Sequence, residues 1–171
     1  MSMPHTKKVR AHVINKLQER GVELIDIAQV VLILQSPYNP ELTIETCLHN
    51  VELVLDKREV LNAALVGIEL DELAEKKLLS QPLQEMIETD EGLFGIDETI
   101  AIGIANIYGS IGFTSYGYVD KNKIGIIAEL DSHGAKVNTF LDDIVGAIAA
   151  AAASRVAHRS RDKQEEELEE E

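Results

Sequence analysis

Residues 144–154, IVGAIAAAAAS, string together small apolar side chains, with five consecutive alanines among them. Alanine is the strongest helix former, and a helix that is apolar all round has to be buried. This stretch therefore predicts a buried helix against which neighbours pack closely, and every other element has to leave room for it. Two acids, Asp142 and Asp143, stand directly before the run. A carboxylate at the lip of a dry helix either stays wet at the helix end or meets a positive charge, because desolvating an unpaired ion costs on the order of several kcal/mol. The spacing predicts a long helix over residues 137–158.

Hydrophobic periodicity predicts helices elsewhere as well. Over residues 7–20, Val9, Val13, Ile14 and Leu17 form one apolar face, and Gly21 stops the helix. Residues 22–36 are apolar on most faces, which marks a more central helix ending before Pro37. Beyond Glu41, Leu48, Val51, Val54 and Leu55 share one face, and Val60, Leu61, Ala64, Leu65 and Ile68 share another. Two helices joined near residues 56–58 account for this. A short helix over 71–79 and another after Pro82 complete a first half whose acids and lysines read as solvated faces. After Asp90, glycine and small residues dominate, predicting a helix over 96–116 and a loop over 118–135. Residues 123–130, KIGIIAEL, are strand-like but have no partner strand. The expected fold is all-α, a compact multi-helix bundle around a central apolar helix. A single domain is expected over residues 1–160, with a helical scaffold half (1–90) and a second half (91–158), followed by an acidic, flexible tail (161–171).

Charge narrows the functions available. A net charge of −14 disfavours nucleic acid and electrostatic adhesion to an anionic membrane, since both need a cationic surface. The single cysteine, Cys47, permits no internal disulfide and fits a reducing cytoplasm, with the thiol as helix packing. The N-terminus lacks the apolar core of a signal peptide. Residues 99–121 are broken by glycines, and 144–154 are far shorter than the roughly 20 residues a membrane-crossing helix needs. A cytoplasmic protein follows, at most peripheral at the inner face of the membrane. The small-residue face at 146–154 suggests a homo-oligomer.

The chemistry lies in a weak internal echo. IDETIAIGIA (96–105) and LDDIVGAIAA (141–150) each place an acid pair before a run of small apolar residues. One pair is explained by the helix dipole, which favours negative charge near an N-terminus by about 0.3–1 kcal/mol. Two pairs brought together would repel unless a cation joined them. All-oxygen ligands select a hard ion, Mg²⁺ first, with Mn²⁺ or Ca²⁺ as substitutes. Mg²⁺ commonly pairs one or two carboxylates with a substrate phosphate, which points to phosphate chemistry. Between the pairs stand Asp120, Lys121, Lys123, Asp131, His133 and Lys136. Lysine suits a phosphate oxygen, and histidine can carry the proton of a leaving group.

In their order these elements resemble phosphatidylglycerophosphatase A, a Mg²⁺-requiring family that removes the terminal phosphate of phosphatidylglycerophosphate in phospholipid synthesis. The family's DE pair, D-x-x-K element, further acid, HG and DD-I-V-A-G are similar to Asp97-Glu98, Asp120 to Lys123, Asp131, His133-Gly134, and Asp142-Asp143-Ile144-Val145 followed by Gly146. The likeness spans roughly residues 93–155. The family's proline-containing segment with an arginine is absent after Lys123, and amphipathic helices replace its membrane-spanning ones, as in a soluble branch. The resemblance implies a metal-dependent phosphomonoesterase acting on a phosphorylated lipid or small phosphomonoester. It implies that Asp97, Glu98, Asp142 and Asp143 hold one or two ions, that Lys123 with Lys121 neutralises phosphate oxygens, and that Asp120 and His133 handle protons. Two other readings remain open: a non-catalytic metal- or ligand-binding regulator of the same fold, and a helical nucleotide pyrophosphohydrolase, whose weakness is the lack of an E-x-x-E array on facing helices.

Overall fold

The computed structural model describes residues 6–132, 134 and 136–169, and every regular element among them is a helix. In chain order these are α1 (Thr6–Glu19), α2 (Leu24–Gln35), α3 (Ile44–Val54), α4 (Arg58–Glu75), α5 (Leu83–Glu88), α6 (Ile96–Asn106), α7 (Gly109–Asn122), α8 (Ile126–Asp131) and α9 (Leu141–Glu169). The alanine-rich run is the axis. Ile144, Val145 and every residue from Ala147 to Ala153 are fully buried, and α2, α3, α4, α6, α7 and α8 all pack on α9. Small side chains are what allow so many neighbours to reach one helix. Because this face is covered by the chain itself, it is not open to a second subunit.

The bundle around a central apolar helix is the expected one, and α9 is its axis. Helix α2 sits to one side with Ile25 and Ile33 exposed. Where α1 ends, Gly21 takes φ 88° and the N–H of Val22 donates to the carbonyl of Leu17 at 2.9 Å, a glycine-capped stop. Helix α4 is unbroken through Glu75, so no separate helix begins at Asp71. Its buried face, Val60, Leu61, Ala64, Gly67, Ile68, Asp71 and Ala74, simply continues through that residue.

Three further differences lie in the second half. The stretch expected as one helix over 96–116 is two, because Gly109 turns left-handed (φ 73°) and lets the chain fold back. The return is tight: a Cβ on Gly112 would sit 2.6 Å from the carbonyl oxygen of Ala105. The stretch expected as a loop over 118–135 holds the end of α7 and all of α8, whose buried Ile127 and Leu130 draw it onto α9. No strand forms at KIGIIAEL. Finally, α9 runs on as helix to Glu169, through residues expected to be frayed.

Candidate metal centre

Helices α6 and α9 present their first turns to one polar cavity of about 130 Å³, which Asp120 and Lys123 also line. The two acid pairs therefore meet in space. Asp97, Asp142 and Asp143 are buried, at 5 %, 7 % and 5 % exposure, although each is the kind of group that normally stays in water. One carboxylate oxygen from each of Asp97, Glu98 and Asp143 lies within 4.8 Å of the other two. Asp97 Oδ1 and Glu98 Oε2 are buried with no hydrogen-bond partner. A buried acceptor without a donor costs about 1–3 kcal/mol, more if charged, so when both groups are ionised these atoms call for an electropositive neighbour, and without one Asp97 holds a proton against Glu98. Oxygen donors of this kind suit a hard divalent cation.

Asp142 has a different partner. Its Oδ2 is 2.8 Å from Lys123 Nζ, which also reaches Asp120 Oδ1 at 3.0 Å, Asp131 Oδ1 at 3.6 Å and Asp143 Oδ1 at 3.8 Å. Lys123 closes α7 with φ 43°, a left-handed turn that swings its side chain toward α9. Burial opposes its charge, but the charge and hydrogen bond of Asp142, with Asp120 and Asp143, hold the ammonium well above the usual lysine range. Burial raises Asp142 to about 6, offset in part by Lys123. Asp97 and Asp143 also keep their protons to higher pH than ordinary carboxylates. For Asp97 the cause is burial and then Glu98, and for Asp143 it is burial and then Asp142. The Tyr116 hydroxyl is buried against this cluster, and burial first, then Asp143 and Asp120, keeps it protonated.

Of the residues singled out in the sequence, Asp97, Glu98, Asp120, Lys123, Asp131, Asp142 and Asp143 line this one cavity. Lys121 is exposed and does not. His133 lies outside the described residues.

The acids of the first ninety residues are not all solvated faces. Asp71 is fully buried and accepts from the N–H of Phe140 at 3.1 Å and of Leu141 at 3.0 Å, so a residue of α4 caps α9 just before the acid pair. Burial pushes its carboxyl up to about 8, while those N–H groups and Arg20 work the other way. Arg20, beyond the end of α1, is bound to Glu75 at 2.7 Å, to the Val137 carbonyl and to Asn138 Oδ1 at 2.8 Å. Thr139 donates to the carbonyl of Ile87 at 2.6 Å. Residues 137–141 are thus tied to α1, α4 and α5, and the first half fixes where the acids of α9 stand. A pattern in the sequence marked Asp71: it is an acid inside the apolar stripe of α4. Nothing local marked Arg20.

A larger cavity, about 690 Å³, lies elsewhere, between α2, α7 and the later part of α9, and shares no lining residue with the acid cluster. Cys47 is buried and free, its thiol pushed up to about 11 by burial, which fits a packing role.

Known proteins share this sequence and this fold. The family model for phosphatidylglycerophosphatase A matches residues 18–158, so the likeness takes in Arg20 and Asp71 as well as the acid pairs. The chain is 61 % identical over 147 residues to the uncharacterized protein YutG of Bacillus subtilis (strain 168), covering 85 % of this chain and 89 % of that one. The crystal structure of protein ypjQ from Bacillus subtilis superposes with a TM-score of 0.90 at 53 % identity, covering 93 % of this chain and 99 % of that one. The crystal structure of the low temperature requirement C protein from Listeria monocytogenes gives 0.87 at 59 % identity, covering 90 % and 97 %. Among the described residues no helix is long and apolar enough to cross a membrane. With its matched span running from the end of α1 well into α9, the chain belongs to the phosphatidylglycerophosphatase A family.

Proposed function

We propose that this protein is a divalent-cation-dependent phosphomonoesterase, with Mg²⁺ as the ion and the terminal phosphate of phosphatidylglycerophosphate as the group removed. The observation that carries the proposal is the pair of partnerless buried oxygens on Asp97 and Glu98, facing Asp143 beside a lysine. Asp97, Glu98 and Asp143 would hold the cation, which would supply polarisation of a phosphoryl oxygen and a bound water of lowered pKa. Lys123 neutralises phosphate oxygens at the same cavity. Asp120, half-exposed and 3.0 Å from Lys123, orients that lysine and accepts a proton at the solvent side. His133 donates a proton to the departing alkoxide. The acids and Tyr116 place the reaction beside buried walls, where charge interactions are stronger than in water. Exposed Ile107, Phe113 and Tyr118 on α7 and the turn before it support peripheral contact with the bilayer that holds a lipid substrate.

The test is phosphate release from phosphatidylglycerophosphate with and without Mg²⁺, in the wild type and in Asp97→Asn and Asp143→Asn variants confirmed as folded. The expected result is Mg²⁺-dependent turnover that falls by at least about 100-fold in both variants, the scale on which electrostatic groups at a reacting centre act. Undiminished activity in both would overturn the assignment. Cation binding without turnover on any phosphomonoester would favour the regulator, and pyrophosphate released from nucleotides would favour the pyrophosphohydrolase.

A further inference from the structure

Lys123 Nζ is set in a ring of four acids, with Asp142 and Asp120 as close ion pairs and Asp131 and Asp143 within 4.0 Å. Several carboxylate oxygens around one point is a ligand set that a hard divalent ion takes. The neighbouring trio of Asp97, Glu98 and Asp143 shares Asp143 with that ring. Asp143 thus stands between the Lys123 ammonium, 3.8 Å away, and the candidate metal trio, so that two cation positions share one carboxylate. Here one of the two positions holds a cation that belongs to the chain.

Hydrogen-bond satisfaction separates the two positions. Among the described residues, the buried carboxylate oxygens without a partner are Asp97 Oδ1 and Glu98 Oε2, both in the trio and neither in the ring around Lys123. Charge is compatible with this: Asp97, Glu98, Asp142 and Asp143 carry four negative charges when ionised, of which one divalent ion and one ammonium offset three. Asp120 and Asp131, at 36 % and 44 % side-chain exposure, are screened by water. Building on the metal reading above, we propose that the protein binds one divalent cation, at Asp97, Glu98 and Asp143, and that Lys123 permanently fills the second cation position of an otherwise two-ion site. Lys123 is then more than a phosphate contact, because it sets the number of ions the site accepts.

Mn²⁺ binding to the full chain tests this, with stoichiometry read by equilibrium dialysis and the environment of the ion by electron paramagnetic resonance. The wild type is expected to bind one Mn²⁺ with the spectrum of an isolated ion. Lys123→Asn keeps a residue that tolerates the left-handed backbone and removes the charge. It is expected to bind two ions with a spin-coupled spectrum, and Lys123→Arg one. Two ions in the wild type would overturn the inference while leaving the metal site standing. One ion in a folded Lys123→Asn variant would also overturn it. No ion in the wild type would remove the metal reading itself. Should Lys123→Asn fail to fold, as judged by circular dichroism, Lys123→Gly makes the same comparison at a backbone glycine accepts freely.

Discussion

Asp97 and Asp143 make the protein's stability depend on pH in a direction opposite to that of ordinary salt-bridged acids. Both bind their protons more tightly in the metal-free fold than in the unfolded chain, where carboxylates titrate near 4. Between that value and their raised folded values the native state holds more protons, so stability falls as pH rises and levels off above the window. Thermal melts without divalent ions should show a melting temperature that declines from about pH 5 to about pH 8. Saturating Mg²⁺ displaces those protons and should flatten the decline, leaving the part that comes from Asp71 and Asp142, whose carboxyls are also raised; an identical slope with and without the ion would count against a metal at these residues. Asp71 gives a second prediction at this scale. Asp71→Ala leaves the N–H groups of Phe140 and Leu141 buried without an acceptor, and a loss of about 1–3 kcal/mol is expected in urea unfolding. Because Asp71 caps α9 just ahead of Asp142, Mn²⁺ affinity should fall in the same variant.

At the scale of elements, two glycines behave differently for reasons of distance. A Cβ on Gly67 would come 2.3 Å from Ile144 Cδ1 and 2.9 Å from Phe140 Cβ, so α4 and the start of α9 touch through that position. Gly67→Ala should cost about 1–3 kcal/mol by overpacking and should disturb the acid pair that follows Phe140. On Gly146 the same atom meets nothing closer than Val119 Cγ2 at 3.4 Å, an ordinary contact. Gly146→Ala, inside the same long helix, should be neutral or stabilising by up to about 1 kcal/mol, as helix propensity predicts. Comparative unfolding of the two variants checks both expectations. Edge-to-face packing of Phe94 on Phe140, with ring centroids 5.9 Å apart, ties the approach to α6 to the same junction.

The molecule as a whole is organised around a helix that is buried on every side over its first half and exposed further on, at His158, Arg159, Arg161 and Asp162. Amide exchange should reflect this: residues 144–153 should exchange only through global unfolding, while residues 161–169 should exchange early. Hydrogen exchange followed by mass spectrometry checks it, and early exchange across 144–153 would contradict a central α9. The helices themselves were legible in sequence wherever apolar residues recurred at helical spacing, as at Val9, Val13 and Leu17. Their breaks were less so, because a glycine such as Gly109 signals a turn only once its neighbours force the chain back.

Sequence by itself determined that this chain is helical, that its alanine run is dry, and that two acid pairs open two small-residue helices. These are local properties, set by periodicity and side-chain size. Tertiary structure alone decided that Asp142 pairs with Lys123 while Asp97, Glu98 and Asp143 converge, and that Arg20 and Asp71, far earlier in the chain, hold the start of α9 in place. The physical reason is that carboxylate spacing depends on where helix ends meet, and helix ends are positioned by long-range caps and clamps that leave no periodic trace in the residues around them.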